Sequence, residues 1–561
     1  IGIGVDASSQ VKLGSDSGLS ISQTGGKSDG IFGIMDTDGS QIEAGLNGSL
    51  SISQTGGKSN TIYGVYASGD SVLKLSSNFH ANIDVKGDST SVWVVKPDPK
   101  GTIFADDGLN VHASYEGGTK QNVTVGAFNY RGNLTVGNHG TLDVSGHYTG
   151  EKTAGTVVSG LRTIEGTSTY GSNLTVAARG DNYETVEGLR GYGETGQPAL
   201  TVIGNGLNMT VKASALQDNA NGPIVYGIKN SGNDSKIKIG RDAHISLSAP
   251  DAVQDLAVVR SWRYGNTELD DGAVLTVNSK AQDSKGKIVN NVVKADSAGK
   301  VTFDGGMTLV GSKNAIYSTD DGSSVTATGN GRKVILGDLE SADKGSIQLK
   351  LNTGDSFFHG KSIIDPSAKA TDAAMADTTS ADTELTLESG ARWDMTGTSQ
   401  LTKLTHENGG LVNMAYNPSY QRLDVNAYSG KDGIFRMKTD LASQTDGDKV
   451  YMNGAGEDSH GLVQVHDQSF LTGKEVTGTK HLLLITDNSQ KATFRGQTLD
   501  EGGLWDVTPT IQNGSYVRNT MGVKDAKDTQ WYLTKLERSI NRDTKPLIGA
   551  SDYAYGLYRN D

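Results

Sequence analysis

Three Asp-Asp-Gly triplets, Asp106-Asp107-Gly108, Asp270-Asp271-Gly272 and Asp320-Asp321-Gly322, are the residues here best suited to chemistry. Paired carboxylates on one face are what a β-helical polysaccharide hydrolase or lyase uses, one as acid and one as base or nucleophile. The same triplet is also a favoured turn, because Asp bonds to nearby backbone and Gly accepts positive φ. The three lie far apart in sequence, and no Gly-His-Gly or Arg-x-Lys partner accompanies them. Ser15-Asp16-Ser17-Gly18 resembles a protease nucleophile on the surface only. Its counterpart one repeat later is Leu46-Asn47-Gly48-Ser49, which is turn material. Gly-Asp-Ser at 69–71, 87–89 and 354–356 falls between strand-like pieces and reads the same way.

Cysteine is absent, which excludes a disulfide framework, a thiolate metal site and a cysteine nucleophile. The ten histidines are scattered; neither His460 with His466 nor His139 with His147 has a metal-site pattern. Calcium-binding repeats of the Gly-Gly-x-Gly-x-Asp type are missing. No catalytic, cofactor or metal residues are therefore assigned, and a non-enzymatic chain is expected. One tripeptide stands out as a candidate ligand-binding element: Arg179-Gly180-Asp181, the sequence that integrins bind in some adhesins. It follows the strand-like Leu174–Val176, which places it on an exposed turn. A chain rich in Gly and Asp also reaches this tripeptide by chance, and chance is the preferred explanation.

The elements that must carry these residues are repeats. Leu19 to Ser28 reads LSISQTGGKS, and Leu50 to Ser59 repeats it, a period of 31 residues. The match continues: Ile31-Phe32-Gly33-Ile34 against Ile62-Tyr63-Gly64-Val65, and Ser40 against Ser71. An identical block of this length is an internal duplication. Looser copies follow. Val158-Ser159-Gly160-Leu161, Val186-Glu187-Gly188-Leu189 and Val225-Tyr226-Gly227-Ile228 share an apolar-x-Gly-apolar frame; Asn133–Val136 and Asn173–Val176 form a second family. Each unit holds three strand-like pieces, first Leu19–Gln23, Ile31–Met35 and Gln41–Gly45, with Gly-rich corners between them. Leu19 and Ile21 alternate with Ser20 and Ser22. No helical pattern separates the strands, so a βαβ sheet is excluded. The expectation is an all-β, right-handed, single-stranded parallel β-helix with three sides. Its outward Ser20, Ser22, Gln23, Ser51, Ser53 and Gln54 form a candidate self-association ladder.

Composition agrees. Hydrophobic residues are 35% and aromatics 6%, too few for a compact globule, yet they come in short bursts bounded by some of the 74 glycines. The net charge of −13 repels nucleic acid and anionic lipid, so no nucleic-acid partner is expected. No apolar run is long enough for a membrane-spanning helix. Ile1-Gly2-Ile3-Gly4-Val5 lacks the basic and apolar regions of a signal peptide, so a processed or trimmed chain is expected.

The last third changes character. The stretch from Pro366 to Glu384 is small, polar and aperiodic, and reads as a loop. Then come Leu385–Gly397 with Trp393, and Gly433-Ile434-Phe435-Arg436-Met437-Lys438-Thr439-Asp440-Leu441 followed by Asp446-Gly447-Asp448-Lys449-Val450. Leu483–Thr486, Ala492–Phe494, Gly503-Leu504-Trp505 and Trp531-Tyr532-Leu533 close the series. Over residues 385–535 this order resembles the C-terminal module of pertactin-like autotransporter passengers, most specifically in G-x-F-x-M-x-T-D-L, G-D and the closing W-Y-L. The resemblance implies a β-helix with hairpin additions that caps the repeat region and promotes its folding.

An open coil end exposes unpaired strand edges and needs such a cap. Trp393, Phe435, Phe494, Trp505, Trp531 and Tyr532 are the candidate capping aromatics, and ordinary core packing is the simpler role for each one. The expected organisation is a repeat region over 1–384 with its polar loop near 366–384, a cap over 385–535, and a linker over 536–561 leading toward an outer-membrane β-barrel. The resemblance further implies a surface-attached or secreted adhesin of a Gram-negative cell, acting in host attachment, self-association, biofilm formation or virulence. Its partner would be a host glycan or protein, or another copy of itself. A glycan-cleaving β-helix is the alternative.

Overall fold

The computed structural model describes residues 2–6, 9–118, 122–150, 153–217, 221–280, 282, 290–365, 381–471, 480–500 and 505–541. The polar stretch from 366 to 380, Leu504 and the end of the expected linker from 542 onward lie outside them. The chain falls into two compact units. The first comprises Ile1–Gly331, Ile335–Ile347 and Asp365–Ala381, and the second Arg332–Val334, Gln348–Ile364 and Asp382–Asp561. The architecture is a parallel β-helix, with strands running round a coil and pairing with their equivalents in the next.

In the first unit the duplicated block pairs with itself. Strand Gly18–Thr24 lies parallel to the start of Ser49–Ala67, with Leu19 beside Leu50, Ile21 beside Ile52 and Gln23 beside Gln54. The next coil continues the columns: Leu50 beside Ala81 and Ile52 beside Ile83. Alternation sends these side chains inward, and Leu50, Ile52, Ala81 and Ile83 are all buried. Burying one such Leu or Ile contributes about 1.5–3 kcal/mol, and an Ile52→Asp change would strand an unpaired charge in the column.

A coil has three sides, illustrated by the strands Asn110–Gly117, Val123–Tyr130 and Asn133–Val136; in Ser49–Ala67 and His80–Pro97 one continuous strand covers two of them. The corner leading into the first strand is set by backbone chemistry. Asp16, Asn47, Asn78, Gly108, His139, Asn173, Gly206, Asp242 and Gly272 all have positive φ there. Asn, Asp and Gly tolerate that region best. Their side chains also bridge coils: Asn47 Nδ2 donates to Asp16 Oδ1 at 3.0 Å and Asn78 Nδ2 to Asn47 Oδ1 at 3.2 Å. The separation between stacked corner residues grows from 31 residues at Asn47 and Asn78 to 34 between Asn138 and Ser172 and 36 between Asn205 and Arg241. The strands keep register because the added residues sit in corners.

The second unit uses the same parallel pairing and then changes direction. Phe357–Gly360 pairs with Arg392–Met395, which pairs with Leu411–Asn413, which pairs with Arg422–Thr439. Near its end Leu482–Asp487 pairs antiparallel with Gln530–Ile540, and that strand pairs antiparallel with Trp505–Asn513. A hairpin thereby covers an edge that would otherwise stay open. The hairpin encloses the helix Gly514–Met521. Asn513 Oδ1 caps it by accepting from Tyr516 N at 2.8 Å, and Gly522 at φ 76 ends it.

Candidate functional site

The structure places Arg179-Gly180-Asp181 inside strand Thr175–Asp181, not on a turn. Leu174–Val176 leads into that strand, which runs on because it has a ladder on both sides. Arg179 lies beside Ser145 and Lys212, and Gly180 beside Gly146 and Ala213. Gly180 points inward and is buried. A Cβ there would overlap Val186 Cγ2 and lie 3.2 Å from Tyr183 Cβ, so packing under Tyr183 accounts for this glycine. Gly146, one coil earlier, clears the same ring, with its Cβ position 2.5 Å from Tyr183 Cε2. Arg179 and Asp181 point outward and already have partners. Arg179 pairs with Asp143, and Asp181 accepts from Ser214 Oγ at 2.5 Å and lies 2.6 Å from His147 Nδ1. Ser214 first, then His147, hold the Asp181 carboxyl below the usual carboxylate range. These tips line an open groove of about 540 Å³ shared with Lys86, Glu116 and Lys212.

The polar ladder divides by direction. Ser20 lies beside Ser51 and Ser22 beside Ser53, all on the outer side, with Thr24 beside Thr55 continuing the column. Gln23 and Gln54 occupy the inward phase instead. Gln54 is buried, its Oε1 accepting from Ser59 Oγ at 2.6 Å, and Ser59 Oγ also reaches Gln23 Oε1 at 3.2 Å. Two residues of the proposed ladder thus belong to an internal polar column, because strict alternation from Leu19 and Ile21 turns the next odd position inward.

The capping aromatics separate into clusters. Trp393 is buried, stacks on Phe358 at 5.4 Å and donates to Gly360 O at 2.9 Å. Phe435, Phe494 and Trp531 form a chain of edge contacts, 6.3 and 5.5 Å between centroids, joined by His406 and Tyr428. Tyr532 packs with Val517 of the hairpin helix and with Ala526. Trp505 is 40% exposed and joins none of these clusters. The G-x-F spacing has a steric origin: a Cβ at Gly433 would enter the His406 ring. That ring is buried and bonds through Nε2 to Gly410 O at 2.8 Å; burial pushes its pKa down to about 4.

The aspartate triplets are corners. Asp107 Oδ1 accepts from Asn138 N at 2.7 Å and Asp271 Oδ1 from Gly306 N at 2.6 Å, while Asp320 Oδ2 accepts from Ser297 N at 3.1 Å. Asp320, at φ 74, turns a different corner from Gly108 and Gly272. Among the described residues no group of three or more His, Asp and Glu is placed to hold a metal ion.

Inspection of the sequence missed a column on the outer side of the second strand face. Arg162 lies beside Arg190, Arg190 beside Lys229, Lys229 beside Arg260 and Arg260 beside Lys294. Like charges in register repel. Glu187, Asp255 and Asp296 thread between them: Arg162–Glu187 at 2.6 Å, Arg260 at 2.5 Å from both Asp255 and Asp296, and Lys294–Asp255 at 3.1 Å. Burial opposes the Glu187 charge, yet Arg162, Arg190 and Lys229 hold its carboxyl below the ordinary range. Burial pushes Lys229 down to about 8, with Arg190 and Arg260 adding repulsion and Glu187 opposing. The signal was present in the apolar-x-Gly-apolar frame, since Arg162, Arg190 and Lys229 each follow it directly.

Aromatic rings continue this outer surface. Phe128 lies beside Arg162, and Phe32, Tyr63 and Trp93 stack across successive coils with centroids 4.7 and 5.0 Å apart. Lys96 sits among Tyr63, Tyr66, Trp93 and Phe128, 4.4 Å from the Trp93 ring, and pairs with Asp98 at 3.0 Å. No protein-family model and no curated protein matches the chain.

Proposed function

We propose that this chain is the passenger of a Gram-negative autotransporter, held at or released from the cell surface, and that it acts as an adhesin toward host surfaces or sister cells. Repetition is the observation that carries the proposal. Outward residues recur at the same place in successive coils, as Ser20 over Ser51, Ser22 over Ser53 and Thr24 over Thr55 do. Single contacts of this kind are weak, but a row of them engaged together gains avidity without any one strong site. The resemblance of residues 385–535 to the pertactin-like C-terminal module supports the passenger assignment. So does the hairpin that closes a strand edge in the second unit.

The test is display of the full chain, fused to an outer-membrane β-barrel, on a Gram-negative host that neither clumps nor attaches. Faster settling, or attachment to epithelial cells or matrix-coated wells, is the expected outcome. Cells that display the folded chain yet gain neither property would refute the adhesin function.

A further inference from the structure

We infer that the outer surface of the second strand face in the first unit is a binding cleft for an acidic polysaccharide, a polymer carrying uronate or sulfate groups, lying across successive coils. The inference deepens the adhesin proposal by naming a ligand class, and it rests on that proposal only for its biological setting.

Charge comes first. Arg162, Arg190, Lys229, Arg260 and Lys294 face Glu187, Asp255 and Asp296, five cations against three carboxylates. The surplus sits in the middle. Among the described residues neither Arg190 nor Lys229 has a carboxylate partner within ion-pair distance, and Glu187, which both help to keep charged, is already paired with Arg162. A local excess of this kind, in a chain of net charge −13, calls for an anion. The next two cations in the column are sheltered: the Arg260 and Lys294 side chains are 13% and 15% exposed. Attraction is stronger there than in open water. Guanidinium groups match carboxylate and sulfate oxygens in pairs.

The aromatic rings supply the second requirement. The half-buried Trp262 ring lies 5.4 Å from Lys229 Nζ and the half-buried Phe128 precedes Arg162 in the column, while Tyr226, 5.1 Å from the same Nζ, is fully buried and only packs behind it. Rings offer flat apolar faces to the C–H faces of sugars, and the neighbouring cations take the acidic substituents. Spacing agrees as well. Coils repeat every ~4.8 Å, close to the rise of one pyranose in an extended polysaccharide, so cation and sugar stay in step over several coils. Duplex DNA, with one charge per ~1.7 Å of axis, is far denser in charge than this modest surplus can balance.

The test uses the full soluble chain and immobilised heparin, polygalacturonate, neutral dextran and DNA. Binding to heparin or polygalacturonate, weakened by salt and absent on dextran, is expected. Arg190→Gln with Lys229→Gln should lower the unfolding temperature, because both cations support the buried Glu187, but at a temperature where its circular dichroism matches the parent's it should bind at least tenfold more weakly; Lys74→Gln, on another face, should leave binding intact. Failure to bind either acidic polysaccharide, equal binding of the double variant, or tighter binding of DNA would overturn the assignment. The two proposals fail separately. Displaying cells that attach normally with Arg190→Gln and Lys229→Gln refute the cleft and leave the adhesin standing. Purified chain that binds heparin while displaying cells gain no attachment does the reverse.

Discussion

Replacing Gly180 by alanine adds one methyl group where Val186 Cγ2 and Tyr183 Cβ already occupy the space. The strand backbone is not the obstacle, because Gly180 is not in the positive-φ region. Overpacking of a buried site costs about 1–3 kcal/mol. Loss of glycine's freedom in the unfolded chain returns ~0.5–1 kcal/mol, so a net loss of about 1–2 kcal/mol is expected. Val186→Ala alone removes two buried methyl groups and leaves a cavity, a loss of about 2–3 kcal/mol. Combined, the new methyl enters the vacated space. The pair should therefore be more stable than the sum of the single effects by about 1 kcal/mol or more.

Urea unfolding supplies the three differences. Hydrogen exchange in Thr141–Tyr148, Thr175–Asp181 and Asn208–Ala213 localises them, since a coil opens with its neighbours. Gly180→Ala should leave attachment of displaying cells unchanged wherever the chain still folds. A neutral Gly180→Ala that abolishes attachment would refute the packing explanation and make the tripeptide a recognition element.

Other outcomes follow from the same geometry. In the second unit two buried groups oppose each other in acid. His406, with its pKa pushed down to about 4 by burial, contributes stability above its unfolded value of ~6.5 that is lost as pH falls toward 4. Burial raises Asp448 to about 6 despite backbone donors at Gln421 and Lys438, so its contribution is full below the unfolded value and disappears as pH rises through 6. Asp448→Asn should therefore steepen the loss of stability between pH 6 and 4, by up to about 3 kcal/mol, in urea titrations across that range. Asn78→Ala removes a bridge between coils at φ 59 and should cost about 1–2 kcal/mol in thermal unfolding, with Asn78→Gly less harmful. Lys229, pushed down to about 8, loses its charge as pH rises, so heparin binding should fall by roughly tenfold between pH 7 and 9, an effect Lys229→Arg should abolish.

Much of the coil was legible because the first two repeats are nearly identical and alternate strictly. Leu19 over Leu50 and Ile31 over Ile62 follow from counting, and the structure has both pairs. The Asp-Asp-Gly corners were legible from turn chemistry. Gln23 and Gln54 misled because glutamine reads as surface, whereas the column gives each an internal partner. Arg179-Gly180-Asp181 misled because the corner separation grows beyond 31 residues near it, which hides the strand's continuation. The cation column escaped notice because Arg and Lys are expected in water one at a time. Only stacking brings Arg162, Arg190, Lys229, Arg260 and Lys294 together, across more than a hundred residues of sequence. The eight-residue helix Gly514–Met521 is too short for periodicity to reveal.

The stacking of Arg190 on Lys229 carries both the fold and the cleft, and the absence of cysteine makes it directly measurable. With cysteines introduced as Arg190→Cys and Lys229→Cys, adjacent parallel strands set the Cα atoms ~4.8 Å apart, within disulfide range. Mild oxidation should form an intramolecular disulfide in this variant and none in Arg190→Cys with Arg260→Cys, two coils apart. A disulfide in the second variant but not the first, or in neither, would contradict the register on which the coil and its cation column depend.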